Sequence, residues 1–216
     1  MKKLIIYDLD GTLVDTGEDI AEAVNQMLRQ MQDGAALPKE EIRRLVGGGL
    51  HDLVQRCLQT DDPARIAQGA QLFGVFYGRH LFDHSVLYPS VREVLDYFRA
   101  RAQAIVTNKP QPFAQDLIRG LGVADYFIEI AAGGSTYPKK PDPAAVLAIM
   151  GRAGAGPEET LMVGDSPIDI ETGRRAGVQT VIVTQGFADP AELAAAQPDL
   201  LVENFSALLA VARERG

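Results

Sequence analysis

The chain has 216 residues, 46% hydrophobic and 23% charged, an ordinary globular composition that provides a real core and excludes collagen-like or linker-rich chains. Acidic residues outnumber basic ones 29 to 21, a net charge of −8 with no Lys/Arg block to offset it, which argues against nucleic acid or an anionic membrane surface as a partner. The single cysteine, Cys57, excludes an internal disulfide and a multi-thiolate metal site; it suits a reducing compartment, and the cytoplasm is expected.

Residues 3–9 open the chain as a β-like run of apolar residues broken at Asp8, the pattern of a core strand rather than of a signal peptide. From about Thr16 to His84 no strand is convincing. Apolar residues recur there at helical spacing, in Ile20, Val24, Met27, Leu28 and Met31, then Leu50, Leu53, Val54, Cys57 and Leu58, then Ile66, Leu72 and Phe76. Residues 16–84 therefore read as an all-helical insert, with hinges near residues 14–16 and 83–88. Beyond it, β-like runs at 103–107, 127–130, 160–163, 179–183 and 200–202 alternate with helical patterns at 89–101, 110–121, 142–150 and 167–176. Most of these runs are continuously apolar, as strands buried on both faces of a parallel sheet are. The expected fold is a doubly wound, mostly parallel α/β sheet of Rossmann-like form. Residues 1–15 and 85–216 make its core and 16–84 an inserted helical domain. No apolar run reaches the ~18 residues of a membrane span.

The chemistry gathers at strand ends. Asp8-Leu9-Asp10-Gly11-Thr12 closes the first strand; side chains two apart on an extended chain point the same way, so Asp8 and Asp10 converge where open α/β sheets bind ligands. Gly11 permits a sharp turn that exposes amides. Gly164-Asp165-Ser166-Pro167-Ile168-Asp169 repeats the design, with Asp169 one helical turn beyond Asp165. Such a cluster of hard oxygens suits Mg²⁺. Without a cation, each acid–phosphate pair at 4 Å repels by about 4 kcal/mol at an effective dielectric of 20. Thr107-Asn108 ends the second core strand with neutral donors suited to phosphate oxygens. Lys139 and Lys140 follow the third, and either could offset the acids. His51, His80 and His84 lack metal-ligand spacing with any acid and read as surface or packing residues, and Cys57 as a core residue.

These motifs, Asp-x-Asp-Gly-Thr, Thr-Asn, Lys-Pro-x-Pro and Gly-Asp-Ser-x-x-Asp in this order, resemble the haloacid dehalogenase-like hydrolase superfamily over nearly the whole chain, with the helical insert resembling its small α-helical cap. The resemblance implies a Mg²⁺-dependent phosphomonoester hydrolase acting on a small phosphorylated metabolite. Asp8 would be the nucleophile that becomes an aspartyl-phosphate, and Asp10 the acid and then the base. Thr107 and Asn108 would hold phosphoryl oxygens, and Lys140, favoured over Lys139 by the motif's register, would steady Asp8. Asp8, the Asp10 carbonyl and Asp165 would hold Mg²⁺, with Asp169 supporting from behind. Asp10 argues against a dehalogenase, whose halide leaving group needs no acid.

Leu13-Val14-Asp15-Thr16, Val46-Gly47-Gly48-Gly49 and Val106-Thr107-Asn108-Lys109-Pro110 look closer to phosphoglycolate phosphatases than to other members, which makes 2-phosphoglycolate the expected substrate. Gly47 and its neighbours would bring backbone amides down onto a small substrate. Arg43, Arg44, Arg56 and those amides are all candidates for its carboxylate. The alternatives are a sugar-phosphate mutase, a pyrophosphatase and a non-catalytic binding protein. The sequence leaves monomer and dimer equally open.

Overall fold

The run at 3–9 lies at the middle of the sheet. A computed structural model describes residues 2–32 and 34–215. Met1 and Gly216, read above as core, and Asp33, read as part of the insert, lie outside the described residues. Along the chain come β1 (Leu4–Tyr7), β2 (Val14–Asp15), α1 (Gly17–Met31), α2 (Lys39–Leu45), α3 (Leu50–Leu58), α4 (Pro63–Arg79) and β3 (Val86–Leu87). Then follow α5 (Val91–Tyr97), β4 (Ala102–Pro110), α6 (Gln111–Gly120), β5 (Glu129–Gly133), α7 (Ala144–Ala153), β6 (Thr160–Gly164) and α8 (Pro167–Ala176). The chain closes with β7 (Gln179–Val183), α9 (Pro190–Ala195), β8 (Leu200–Val202) and α10 (Phe205–Arg215). The main sheet runs β5-β4-β1-β6-β7-β8, with every pairing parallel.

Both faces of β1 are buried, as its unbroken apolar run requires. Ile5 and Tyr7 join the larger core with Phe205 and Leu208 of α10, while Leu4 and Ile6 pack on the opposite face against Val146 and Ile149 of α7. After β1 the chain curls: Leu13 and Val14 both donate their N–H to the Leu9 carbonyl, at 3.0 and 3.1 Å. It leaves through β2 and returns through β3, which pair antiparallel and flank the four helices α1–α4. Asp19 of α1 ties the return strand down, accepting from His84 N at 2.9 Å, Ser85 N at 2.8 Å and Ser85 Oγ at 2.5 Å.

Several helices have bounds other than the sequence pattern suggests. The one expected at 89–101 is confined to Val91–Tyr97, and β5 starts two residues later than expected. α2 buries only Ile42 and α9 only Leu193, so neither carries the apolar stripe by which helices are read. Among the described residues no helix is long and apolar enough to cross a membrane.

Candidate active site

Three neighbouring strands deliver the motifs to one place. β1 lies between β4 and β6, and sheet order reverses around it, so their C-terminal ends form a crevice at a topological switch point. Asp8 stands at the end of β1, its N–H bonded to the Val163 carbonyl of β6 at 2.9 Å. Gly11 turns at φ +78°, and a Cβ there would stand 2.2 Å from Asp165 Oδ2. The turn is therefore pressed onto Asp165, which only glycine allows. Asp165 accepts from Thr12 Oγ1 at 2.7 Å and from Phe187 N at 2.8 Å. Ser166 caps α8, and Asp169 answers by accepting from Ser166 N at 3.1 Å and Ser166 Oγ at 2.6 Å, a reciprocal cap that fixes Asp169 one turn in.

Lys140 lies between the two acid motifs. Its ammonium is 2.8 Å from Asp8 Oδ1 and 2.6 Å from Asp169 Oδ1 on a buried side chain, whereas Lys139 reaches outward to the Gly48 carbonyl. Of the two lysines, Lys140 is the one that stands among the acids. Burial pulls the Lys140 ammonium down, but Asp169 and Asp8 outweigh it and hold its pKa above the ordinary lysine value. Burial pushes the Asp8 carboxyl up to about 6, against the opposing pull of Lys140. Burial, then Asp169 and Asp8, raise Asp165 well above the usual carboxylate range.

Carboxylate oxygens of Asp8, Asp165 and Asp169 lie within 4.8 Å of one another. Asp8 Oδ1 is buried without a well-aligned hydrogen bond, since the nearby ammonium meets it as an ion pair only. Four carboxylates (Asp8, Asp10, Asp165, Asp169) against two ammoniums (Lys109, Lys140) leave this region at a formal −2. An unfilled acceptor and an uncompensated negative charge in a buried oxygen cluster fit a hard divalent cation. Asp169 is saturated by Lys140 and Ser166, which suits it to orienting its neighbours. The Asp10 carboxylate stands outside this group.

Asp10 has partners the sequence did not announce. Its Oδ1 accepts from Thr16 Oγ1 at 2.7 Å and from Lys109 Nζ at 2.8 Å, leaving Oδ2 without a protein partner among the described residues. Lys109 also donates to the Tyr77 hydroxyl at 2.7 Å and stands 4.5 Å from the centre of that ring. Burial raises the Tyr77 hydroxyl to about 12, Lys109 opposing, so it stays protonated. Tyr77 belongs to α4, so the helical insert touches the acid chemistry through Lys109.

Asn108 departs from expectation. Its side-chain amide is committed to backbone: Nδ2 donates to the Gly47 carbonyl at 2.9 Å and the Lys140 carbonyl at 3.1 Å, and Oδ1 accepts from Lys140 N at 2.8 Å. The side chain expected to hold a phosphoryl oxygen instead splices three loops together. The β4 ladder is irregular between Val106 and Pro110, which re-aims Thr107, Asn108 and Lys109 at the strand end. Thr107 keeps its place in the crevice. Gly47 is engaged through its carbonyl, which accepts from Asn108 Nδ2. His51, His80 and His84 are exposed, and Cys57 is buried in α3 with burial pushing its thiol up to about 12, as expected of a packing residue.

A model of the haloacid dehalogenase-like hydrolase family matches residues 5–183. The chain belongs to that family. It is 36% identical to the phosphoglycolate phosphatase of Pseudomonas putida over 97% of this chain and 79% of that one, and 36% identical to the enzyme of the same name from Vibrio vulnificus over 97% and 95%. A crystal structure described as a predicted phosphoglycolate phosphatase from Haemophilus somnus superposes with a TM-score of 0.91 at 30% identity, over 98% of each chain.

In this haloacid dehalogenase-like hydrolase a cavity of about 390 Å³ opens between the crevice and the insert, reached by Asp8, Asp10, Thr107, Asn108, Lys109 and Asp165 from the sheet side. Lys109, Tyr77 and Phe187 are the contributors that motif spacing missed. Lys109 had a signal, a lysine within an apolar strand end; Tyr77 and Phe187 had none, because distant segments bring them in. Gly186 before Phe187 also presses close to Asp165, since a Cβ there would stand 2.3 Å from Asp165 Cβ.

Proposed function

We propose that this chain is a Mg²⁺-dependent phosphatase that hydrolyses 2-phosphoglycolate, a small phosphorylated metabolite, in the cytoplasm through an aspartyl-phosphate on Asp8. The observation that carries the reading is the Asp8 carboxylate: buried at the central strand end, ion-paired to Lys140, beside Asp165, with an oxygen lacking a good hydrogen bond. Asp8 attacks phosphorus and the bond from phosphorus to the ester oxygen breaks. Asp10, through Oδ2, delivers a proton to the departing oxygen, releasing glycolate. Asp10 then takes a proton from water, whose oxygen displaces Asp8 from phosphorus and frees inorganic phosphate. Lys140 keeps Asp8 placed and offsets charge on the transferring group. The Asp8 and Asp165 carboxylates and the Asp10 carbonyl would hold Mg²⁺, which when bound supplies positive charge against the phosphoryl oxygens. Thr107 donates to those oxygens, and Gly11 brings turn amides near them. Asn108 keeps the Gly47 loop and the Lys140 backbone in register with the strand end. We read residues 16–84 as a cap that moves about the β2–β3 ribbon, admitting substrate when open and excluding water when closed.

Phosphate release from a panel of 2-phosphoglycolate, sugar phosphates, nucleotides and pyrophosphate, with and without Mg²⁺, tests this reading. The expected result is Mg²⁺-dependent release with 2-phosphoglycolate preferred, and its loss in Asp8→Asn. Turnover by Asp8→Asn, or a preference for another ester, would overturn the nucleophile or the substrate respectively.

A further inference from the structure

We propose that Arg44, in the last turn of α2, is the residue that reads the substrate's second anionic group, a carboxylate adjoining the phosphate ester; this rests on the phosphatase reading above. Both lysines at the strand ends are already engaged. Lys109 is held by Asp10 and Tyr77, and Lys140 by Asp8 and Asp169. Mg²⁺ would offset the formal −2 of the buried acids, but the phosphoryl group bound there restores negative charge on the sheet side, and the cavity rim adds Asp189 and Glu192. An anion attached to the phosphate is therefore repelled by the sheet side and drawn to the helical insert, which presents Arg43, Arg44 and Arg56 to the same cavity.

Two of these arginines are occupied. Arg56 donates to the Leu45 carbonyl at 3.3 Å and lies 3.7 Å from Asp52. Arg43 lies over the Phe187 ring, 4.7 Å from its centre, with Asp15 at 3.9 Å, and its chain packs where a Cβ on Gly17 would be. Arg44 lines the cavity, is exposed, and has no hydrogen bond, ion pair or ring contact among the described residues. A planar guanidinium with its donors unspent suits bidentate binding of a carboxylate. The Gly47–Gly49 loop that follows α2 is pinned by Asn108 and Lys139, so Arg44 is held a few residues from an anchored point.

Phosphate release from 2-phosphoglycolate and from ethyl phosphate, which carries the same ester without the carboxylate, separates the possibilities. The wild-type protein is expected to prefer 2-phosphoglycolate in kcat/KM by about 100-fold or more, because a site built around a charged partner rejects an analogue lacking it. In Arg44→Ala that preference should shrink at least about tenfold, chiefly through a higher KM for 2-phosphoglycolate, and Arg44→Lys should recover part of it. Since Arg44 has no partner to lose among the described residues, the melting temperature of each variant should match wild type, which separates lost recognition from lost fold. A preference in Arg44→Ala within twofold of wild type would remove Arg44 from this role. An equal loss on both esters would also overturn it, and would point instead to a latch between Arg44 and the acidic rim. No preference in the wild-type protein would overturn the 2-phosphoglycolate reading itself.

Discussion

Lys109→Met removes the buried ammonium that joins Asp10 to the helical insert. In the native protein Lys109 Nζ lies 2.8 Å from Asp10 Oδ1 and 2.7 Å from the Tyr77 hydroxyl, and its side chain is 3% exposed. Methionine fills similar volume, so packing is largely kept and the effect isolates the charge. Asp10, 11% exposed, would retain only Thr16 as a side-chain donor. Breaking a buried pair by deleting one partner costs about 3–5 kcal/mol. For a chain of this size that corresponds to a fall of roughly 6–20 °C in melting temperature. Asp10→Asn alone strands the ammonium with Tyr77 and should cost a similar amount. The double variant leaves no stranded charge, so it should be more stable than the two losses added together, by about 2 kcal/mol or more. Urea unfolding of the four proteins, in metal-free buffer, measures this cycle. Losses that add to within about 0.5 kcal/mol would refute the reasoning, because they would show that Lys109 and Asp10 do not depend on one another.

Gly11→Ala forces a Cβ into the left-handed region at φ +78°, 2.2 Å from Asp165 Oδ2. About 1–2 kcal/mol of backbone strain and a further 1–3 kcal/mol of overpacking should lower the denaturation midpoint and, by displacing Asp165, Mg²⁺ binding with it; a midpoint matching wild type would contradict the close approach. The raised pKa values of Asp8, at about 6, and Asp165 mean that the folded metal-free protein binds more protons than the unfolded chain. Stability from these groups therefore falls as pH rises from the ordinary carboxylate range to about 6, and for Asp8 is level above it. Mg²⁺ competes for the same carboxylates, so its increment in melting temperature should grow between about pH 5 and 7; an increment independent of pH would place the cation elsewhere.

Local chemistry made much of this protein legible without a structure. The unbroken apolar runs ending in Asp8, Thr107 and Asp165 announce buried parallel strands with ligand-binding ends, because a strand covered on both faces leaves only its tip for polar groups. Ser166 and Asp169 announce a helix start by spacing alone. The Lys-Pro-x-Pro register favours Lys140 over Lys139, and Lys140 is the lysine that pairs with Asp8 and Asp169. Other features depend on which segments meet. Asn108 looked like a phosphate donor, yet its amide is spent on Gly47 and Lys140, residues 61 and 32 positions away. Lys109 carries its meaning only when Tyr77 of α4 arrives beside it. Of three arginines in one stretch, only the packing of Phe187, Asp15, Asp52 and Leu45 shows which guanidinium is unspent. Residue spacing determines what lies on one strand end or one helical turn; contacts across long loops arise from the global packing of the core, and no local pattern encodes them.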